Sequence, residues 1–94
     1  MMAVAELCLF PLGTGSPSVG EYLKPVIEVI ERSGLKYKLC PMGTVVEGSV
    51  EDILDLVKEC HEAILKTGAK RVVISLRIDD RTDKELTIEG KVKF

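Results

Sequence analysis

Residues 2 to 10 are apolar at almost every position, broken only by Glu6 and closed by Pro11. A short run of that kind reads as a strand with both faces covered. After a loop from Pro11 to Pro17, Ser18-Val19-Gly20-Glu21 has the form of a helix capping box, and Val19, Tyr22, Leu23, Val26, Ile27 and Ile30 follow at helical spacing up to Gly34. Pro25 sits inside that pattern, where it removes an intrahelical hydrogen bond, so the helix is expected to kink or to start later than the cap suggests. Leu35-Lys36-Tyr37-Lys38-Leu39 alternates as a half-buried strand does, Pro41-Met42-Gly43 turns the chain, and Thr44-Val45-Val46-Glu47 is a second short strand. Ser49, with Asp52 three residues later, caps a helix whose stripe runs Val50, Ile53, Leu54, Val57, Cys60, His61, Ile64 and Leu65. From Arg71 to Asp79 the alternation returns, with Val72, Ile74, Leu76 and Ile78 on one face. The tail, residues 82 to 94, is polar and then alternates Leu86, Ile88, Val92 and Phe94, the pattern of an extra strand or an oligomerisation arm.

The order strand, helix, strand, strand, helix, strand predicts an α+β, ferredoxin-like split βαβ domain (βαββαβ) over residues 1–94, with a four-stranded antiparallel sheet and two helices on one face. A first strand that is apolar on both sides requires the open face to be covered, and a chain of 94 residues has little left to cover it. Self-association is the expected solution.

Composition narrows the function classes. The charge is balanced, 13 Lys and Arg against 15 Asp and Glu, which gives no electrostatic reason to expect nucleic acid or a membrane surface as partner. Four aromatic residues and no Trp do not make a base-stacking platform. The first ten residues contain Glu6, lack a basic start and are too short to span a bilayer, so neither export nor insertion is expected. Cys8, Cys40 and Cys60 are widely spaced in apolar segments and read as buried free thiols of a cytoplasmic protein. One histidine and three scattered cysteines make no metal set, and no nucleophile, base and orienter stand at catalytic spacing. His61, on an apolar stripe, reads as a packed residue.

One short motif occurs twice, as Pro11-Leu12-Gly13-Thr14 and Pro41-Met42-Gly43-Thr44. If the first and third strands form a parallel central pair, the loop after Phe10 and the segment after Glu47 emerge at one end of the sheet, and the amino ends of both helices meet there. Gly13, Thr14, Gly15, Ser16 and Ser18 then face Glu47, Gly48 and Ser49 across a site rich in backbone N–H groups. In that arrangement the Met42-Gly43 hairpin lies at the opposite end of the subunit, and Thr44 reaches the site only from within its strand or across an interface. Turn-making and capping are the plain alternative for these small residues. Glu47 at the end of a buried strand needs a partner: a ligand donor, or Lys36, Lys38 or Arg77. Gly13-Thr14-Gly15 lacks the third glycine of a dinucleotide fingerprint, with Ser18 in its place, and residues 11 to 20 contain no Arg or Lys to grip a phosphate.

Taken together, Pro11 to Ser18, Gly34 to Leu39, Pro41 to Gly48, Glu59-Cys60-His61 and Ile78 to Arg81 resemble the small thiamine-binding protein family. The resemblance implies a non-catalytic cytoplasmic protein, working without a cofactor, that binds thiamine or its hydroxymethylpyrimidine moiety in a tetramer built as a dimer of dimers. It places the ligand on the Gly13 to Ser18 loop and the Thr44 to Glu47 strand. An aminopyrimidine suits a carboxylate, hydroxyls and a small apolar slot, so Glu47, Thr44 and Ser18 are candidate hydrogen-bonding groups, with Leu12 or Met42 packing on the ring. A regulatory or assembly module holding another small effector or an anion is the alternative.

Overall fold

The structure, a computed structural model, describes residues 1–94. Six main elements follow one another: β1 (Ala3–Leu12), α1 (Gly20–Arg32), β2 (Lys36–Cys40), β3 (Gly43–Gly48), α2 (Val50–Leu65) and β4 (Arg71–Asp79). The strands form one sheet in the order β2-β3-β1-β4, and every neighbouring pair is antiparallel. This is the ferredoxin-like α+β arrangement, with both helices on one face of the sheet.

The period of two decides what each face of β1 meets. Ala3, Ala5, Leu7 and Leu9 point to the helices and are buried, as are Val26 and Ile30 of α1, Val46 of β3, and Ile53, Leu56, Cys60 and Ile64 of α2. Burial pushes the Cys60 thiol up to about 11, because the thiolate is costly in that apolar setting. Cys8 and Cys40, expected to be buried, are only half-buried, since both lie on the other face. His61 is exposed: the buried stripe of α2 passes through Ile53, Leu56, Cys60 and Ile64 and leaves it on the solvent side.

The two helices begin differently. Ser49 caps α2 as expected, its Oγ accepting the Asp52 N–H at 3.0 Å. Ser18 does not cap α1. Val19 occupies the cap position without a side-chain bond, and its carbonyl accepts the N–H groups of Tyr22 and Leu23 at 3.0 and 3.2 Å. Pro25 lies within α1, which runs through it, and the cap stands one residue after Ser18.

Pro11, expected to close the first strand, lies within β1. It pairs only with Val72 of β4, because the β3 ladder ends at Leu7 opposite Thr44. On that side β1 is an edge, where a missing N–H costs nothing to the ladder.

The tail forms neither an extra strand nor a free arm. Leu86 is buried and its N–H donates to the Met2 carbonyl at 3.1 Å. Further along, the Ile88 N–H donates to Glu47 Oε1 at 2.9 Å, and a short 3-10 turn follows at Gly90–Val92. The tail is therefore a strap over the sheet's own open face. Part of the covering expected from a second subunit is supplied by the chain itself, and it is why Val4, which faces away from the helices, is 7% exposed.

Candidate functional site

Strand direction overturns the expected convergence of the two loops. A hairpin reverses the chain, so β3 runs against β2, and β1 pairs with β3 antiparallel, Ala3 opposite Gly48 and Leu7 opposite Thr44. The loop after β1 and the segment after β3 therefore leave opposite ends of the sheet. The amino ends of α1 and α2 lie at opposite ends as well, and no pooled helix-dipole site exists in one subunit.

The same direction rule puts both copies of the repeated motif toward one end of the sheet. β2 runs with β1, so the Pro41-Met42 turn lies at the end of the sheet where β1 finishes, not at the far end as expected. Pro11 stands four positions beyond the Leu7 and Thr44 pair, roughly 13 Å further along the strand.

The candidate residues fall into three places. Gly13, Thr14, Gly15, Ser16 and Ser18 form a loop exposed except at Thr14, and its polar atoms largely bond one another. Thr14 Oγ1 donates to the Ser16 carbonyl at 3.0 Å and the Ser18 N–H to Ser16 Oγ at 3.1 Å. Gly13 and Gly15 have φ of 74° and 82°, the left-handed region that lets this turn close at little cost for glycine alone. Leu12 faces the open side of the sheet.

Met42 and Thr44 belong to a second place, a cavity of about 310 Å³ between the hairpin, the later half of β1 and α1. Its walls include Leu9, Leu23, Ile27, Leu39, Met42 and Thr44. Thr44 is buried on the helix side of the sheet, opposite Leu7, whereas Met42 is 84% exposed at the turn.

Glu47 is in the third. It is an odd number of residues from Thr44 and so faces the opposite side of the sheet, roughly 10 Å along β3. Its carboxylate is buried and takes the Ile88 N–H of the strap, with Lys36 beside it in the pairing register. The partner expected from a ligand, Lys36, Lys38 or Arg77 is in the first instance a main-chain N–H from 41 residues away. Sequence reasoning missed this role of Ile88. The alternation of Leu86 and Ile88 was the signal available, and it pointed to a neighbouring subunit instead of to the chain's own sheet.

A further cavity, about 770 Å³, lies on the open face between the sheet and the strap. Val4, Val45, Ile88 and Val92 supply its apolar walls, and charged residues surround them. No cluster of three or more His, Cys, Asp or Glu side chains is close enough to hold a metal ion, and no helix is long and apolar enough to cross a membrane.

Comparison with known proteins adds a family to this geometry. The family described as "Thiamine-binding protein" matches residues 5–94. A UPF0045 protein of Methanocaldococcus jannaschii is 49% identical over 90 residues, covering 96% of this chain and 88% of the relative. A UPF0045 protein of Bacillus subtilis is 38% identical over 96 residues, with 98% and 92% covered. Among solved structures, a proposed thiamine biosynthesis/salvage protein of Thermotoga maritima aligns with a TM-score of 0.85 at 34% identity, covering 98% of this chain and 96% of that one. A domain of unknown function from Bacillus cereus aligns with a TM-score of 0.90 at 29% identity over 98% and 88% of the two chains.

Proposed function

The chain belongs to the thiamine-binding protein family, and from that membership we propose that it is a non-catalytic protein that binds thiamine or its hydroxymethylpyrimidine moiety in a self-associated assembly. The observation that carries this reading is the cavity behind the hairpin. At about 310 Å³ it sits at the small end of ligand pockets, a size for one substituted ring rather than a larger molecule. An apolar lining with the Thr44 hydroxyl as its polar group suits a flat heteroaromatic ring that hydrogen-bonds through one edge. Met42, exposed at the turn, is placed to close over the ring.

In this reading the pyrimidine enters behind the hairpin and the rest of thiamine extends past Met42 toward solvent or a neighbour. Glu47, on the other side of the sheet and bonded to Ile88, is the anchor of the strap and not a ligand group of the same subunit. The Gly13 to Ser18 loop leaves the sheet at the same end, beyond the hairpin and outside the lining of that cavity. Assembly rests on the part of the open face that the strap leaves bare, where Phe10, Leu12 and Val73 are 37%, 38% and 37% exposed on adjoining strands. A second copy covers that patch, and pairs of such dimers make the tetramer.

Calorimetry with thiamine and with hydroxymethylpyrimidine tests the site. Thr44→Ala is expected to weaken both about tenfold, the scale of one well-placed buried hydrogen bond, while Glu47→Gln leaves affinity unchanged. Unchanged affinity in Thr44→Ala sinks the assignment. Sedimentation of Phe10→Glu tests the assembly, with a monomer expected.

A further inference from the structure

The open-face cavity and the proposed pyrimidine site share only Cys40 in their linings, the first centring on Val4, Val45 and the strap and the second on Leu9, Ile27 and Thr44. We propose that this cavity is a second ligand site, taking a small amphipathic monoanion, a carboxylate on an aromatic or medium-chain aliphatic body, with Lys38 as its charge partner. At about 770 Å³ the cavity falls within the range of sites that enclose small organic molecules, and it is more than a surface dimple. Its lining is mixed in a particular way: Val4 and Val45 form a floor on the sheet, and Ile88 and Val92 of the strap form the facing wall.

The charges around these walls decide the sign of the ligand. All three lining carboxylates already have a cation. Glu6 lies 3.7 Å from Arg77, Asp79 bonds Lys91, and Glu89 bonds Lys36 from just outside the lining. Lys38 also lines the cavity, and no carboxylate stands within ion-pair distance of it. The pairing register accounts for this. Lys38 sits opposite Val45, and Glu6, the next carboxylate across the sheet, is two strands away and engaged with Arg77 on its other side. A cationic ligand has to displace an existing partner to gain a carboxylate. An anion meets an unpartnered ammonium group and disrupts nothing. A bare inorganic anion would leave the valine and isoleucine walls wetted, so an apolar body belongs with the charge.

The strap is part of the site and not a plug in it. Ile88 is held by Glu47 and Lys91 by Asp79, which fixes the wall while leaving the interior free. Val92 is 73% exposed, so an apolar body lying between it and Val45 removes surface from water on both sides.

The test is titration of the isotope-labelled full chain with benzoate and with octanoate, followed by amide shifts. Saturable shifts at Val4, Val45, Ile88 and Val92 are expected, and benzylamine, a cation of similar shape to benzoate, is expected to produce none. Lys38→Gln should weaken binding about tenfold and Lys38→Arg should retain it. Val92→Asp, at an exposed position that leaves the fold intact, should abolish it by placing a carboxylate beside the anion. Thiamine at saturation should not compete, which separates failure of this site from failure of the pyrimidine site. Absence of saturable shifts at millimolar ligand, equal binding of benzylamine, unaltered affinity in Lys38→Gln, or displacement by thiamine would each overturn the proposal.

Discussion

The two faces of the sheet are built by different means. The helix face is a continuous apolar core in which β1, β3, α1 and α2 interdigitate, and its largest members, Leu7, Ile30, Ile53 and Ile64, are almost wholly removed from water. The open face is divided. One half lies under the strap, held by the Leu86 N–H on the Met2 carbonyl, the Met2 N–H on the Glu85 carboxylate, the Ile88 N–H on Glu47, and the exposed ion pairs Lys36 with Glu89 and Lys91 with Asp79. The other half, with Phe10, Leu12 and Val73, is bare. Dispersion and burial hold the first face wherever side chains meet, whereas the second depends on a few directional contacts that water and salt can replace. The cavity proposed for the pyrimidine lies on the first face, whereas the bare patch and the cavity under the strap lie on the second.

Truncation of the core should open the widest gap between the two faces. Ile53→Ala is expected to cost roughly 2–5 kcal/mol in urea unfolding, since a fully enclosed side chain leaves a cavity that rigid neighbours cannot fill. Leu86→Ala should cost about half as much, because the strap can settle into the space beside it. Equal losses would mean that the strap forms a second core.

Removing the anchor comes next. Glu47→Ala strips the Ile88 N–H of its acceptor and is expected to cost about 1–3 kcal/mol, while Glu47→Gln keeps a carbonyl in place and costs less than about 1 kcal/mol. Hydrogen exchange should show the Ile88 amide losing protection in the alanine variant ahead of any core amide. Simultaneous loss in core and strap would show the two faces to be one cooperative unit.

The helix starts offer a smaller contrast. Ser49→Ala should cost about 0.5–2 kcal/mol in thermal melting, the value of a lost cap, and Ser18→Ala close to nothing because Ser18 caps no helix. A similar loss at both positions would contradict the start of α1.

The smallest effect is that of pH on the strap. The hydrogen bond from Lys36 holds the Glu89 carboxyl below its usual range, and the same bond raises Lys36. A depressed carboxyl stabilises docking above its unfolded pKa of about 4.3 and loses that contribution as pH falls through the lower folded value. For the raised lysine the contribution is present below its unfolded pKa of about 10.4 and fades as pH rises through the folded one. Strap amides should therefore lose protection in acid below pH about 4 while α2 keeps its own. Acid loss that begins in α2 would reverse the ranking of the two faces.

Much of the fold was legible from local rules. The period-two alternation in Arg71 to Asp79 and the 3.6-residue stripe from Val50 to Leu65 are set by side chains a few residues apart, and β4 and α2 occupy those residues. Ser49 was equally readable, because a cap involves only the next turn. Ser18-Val19-Gly20-Glu21 shows the limit. The capping-box pattern is present, yet the helix begins one residue later, with Val19 as its cap. The site was harder to read. Thr44 and Glu47 belong to one strand, but their odd spacing sends them to opposite faces, a consequence of the pleat that grouping residues by proximity in sequence overlooks.

By itself the sequence determined the elements, their order and which residues of each are apolar, and through these the ferredoxin-like class. All are consequences of short-range periodicity and of chain geometry. The tertiary structure alone decided which ends of the elements meet. The two Pro-x-Gly-Thr turns share one end of the sheet because a hairpin reverses β3 against β1, and Glu47 receives its partner from Ile88 because the tail folds back over its own sheet. Pairings across 30 or 40 residues leave no periodic trace in the chain, since they depend on strand direction and on where free backbone N–H groups come to rest once the core has closed.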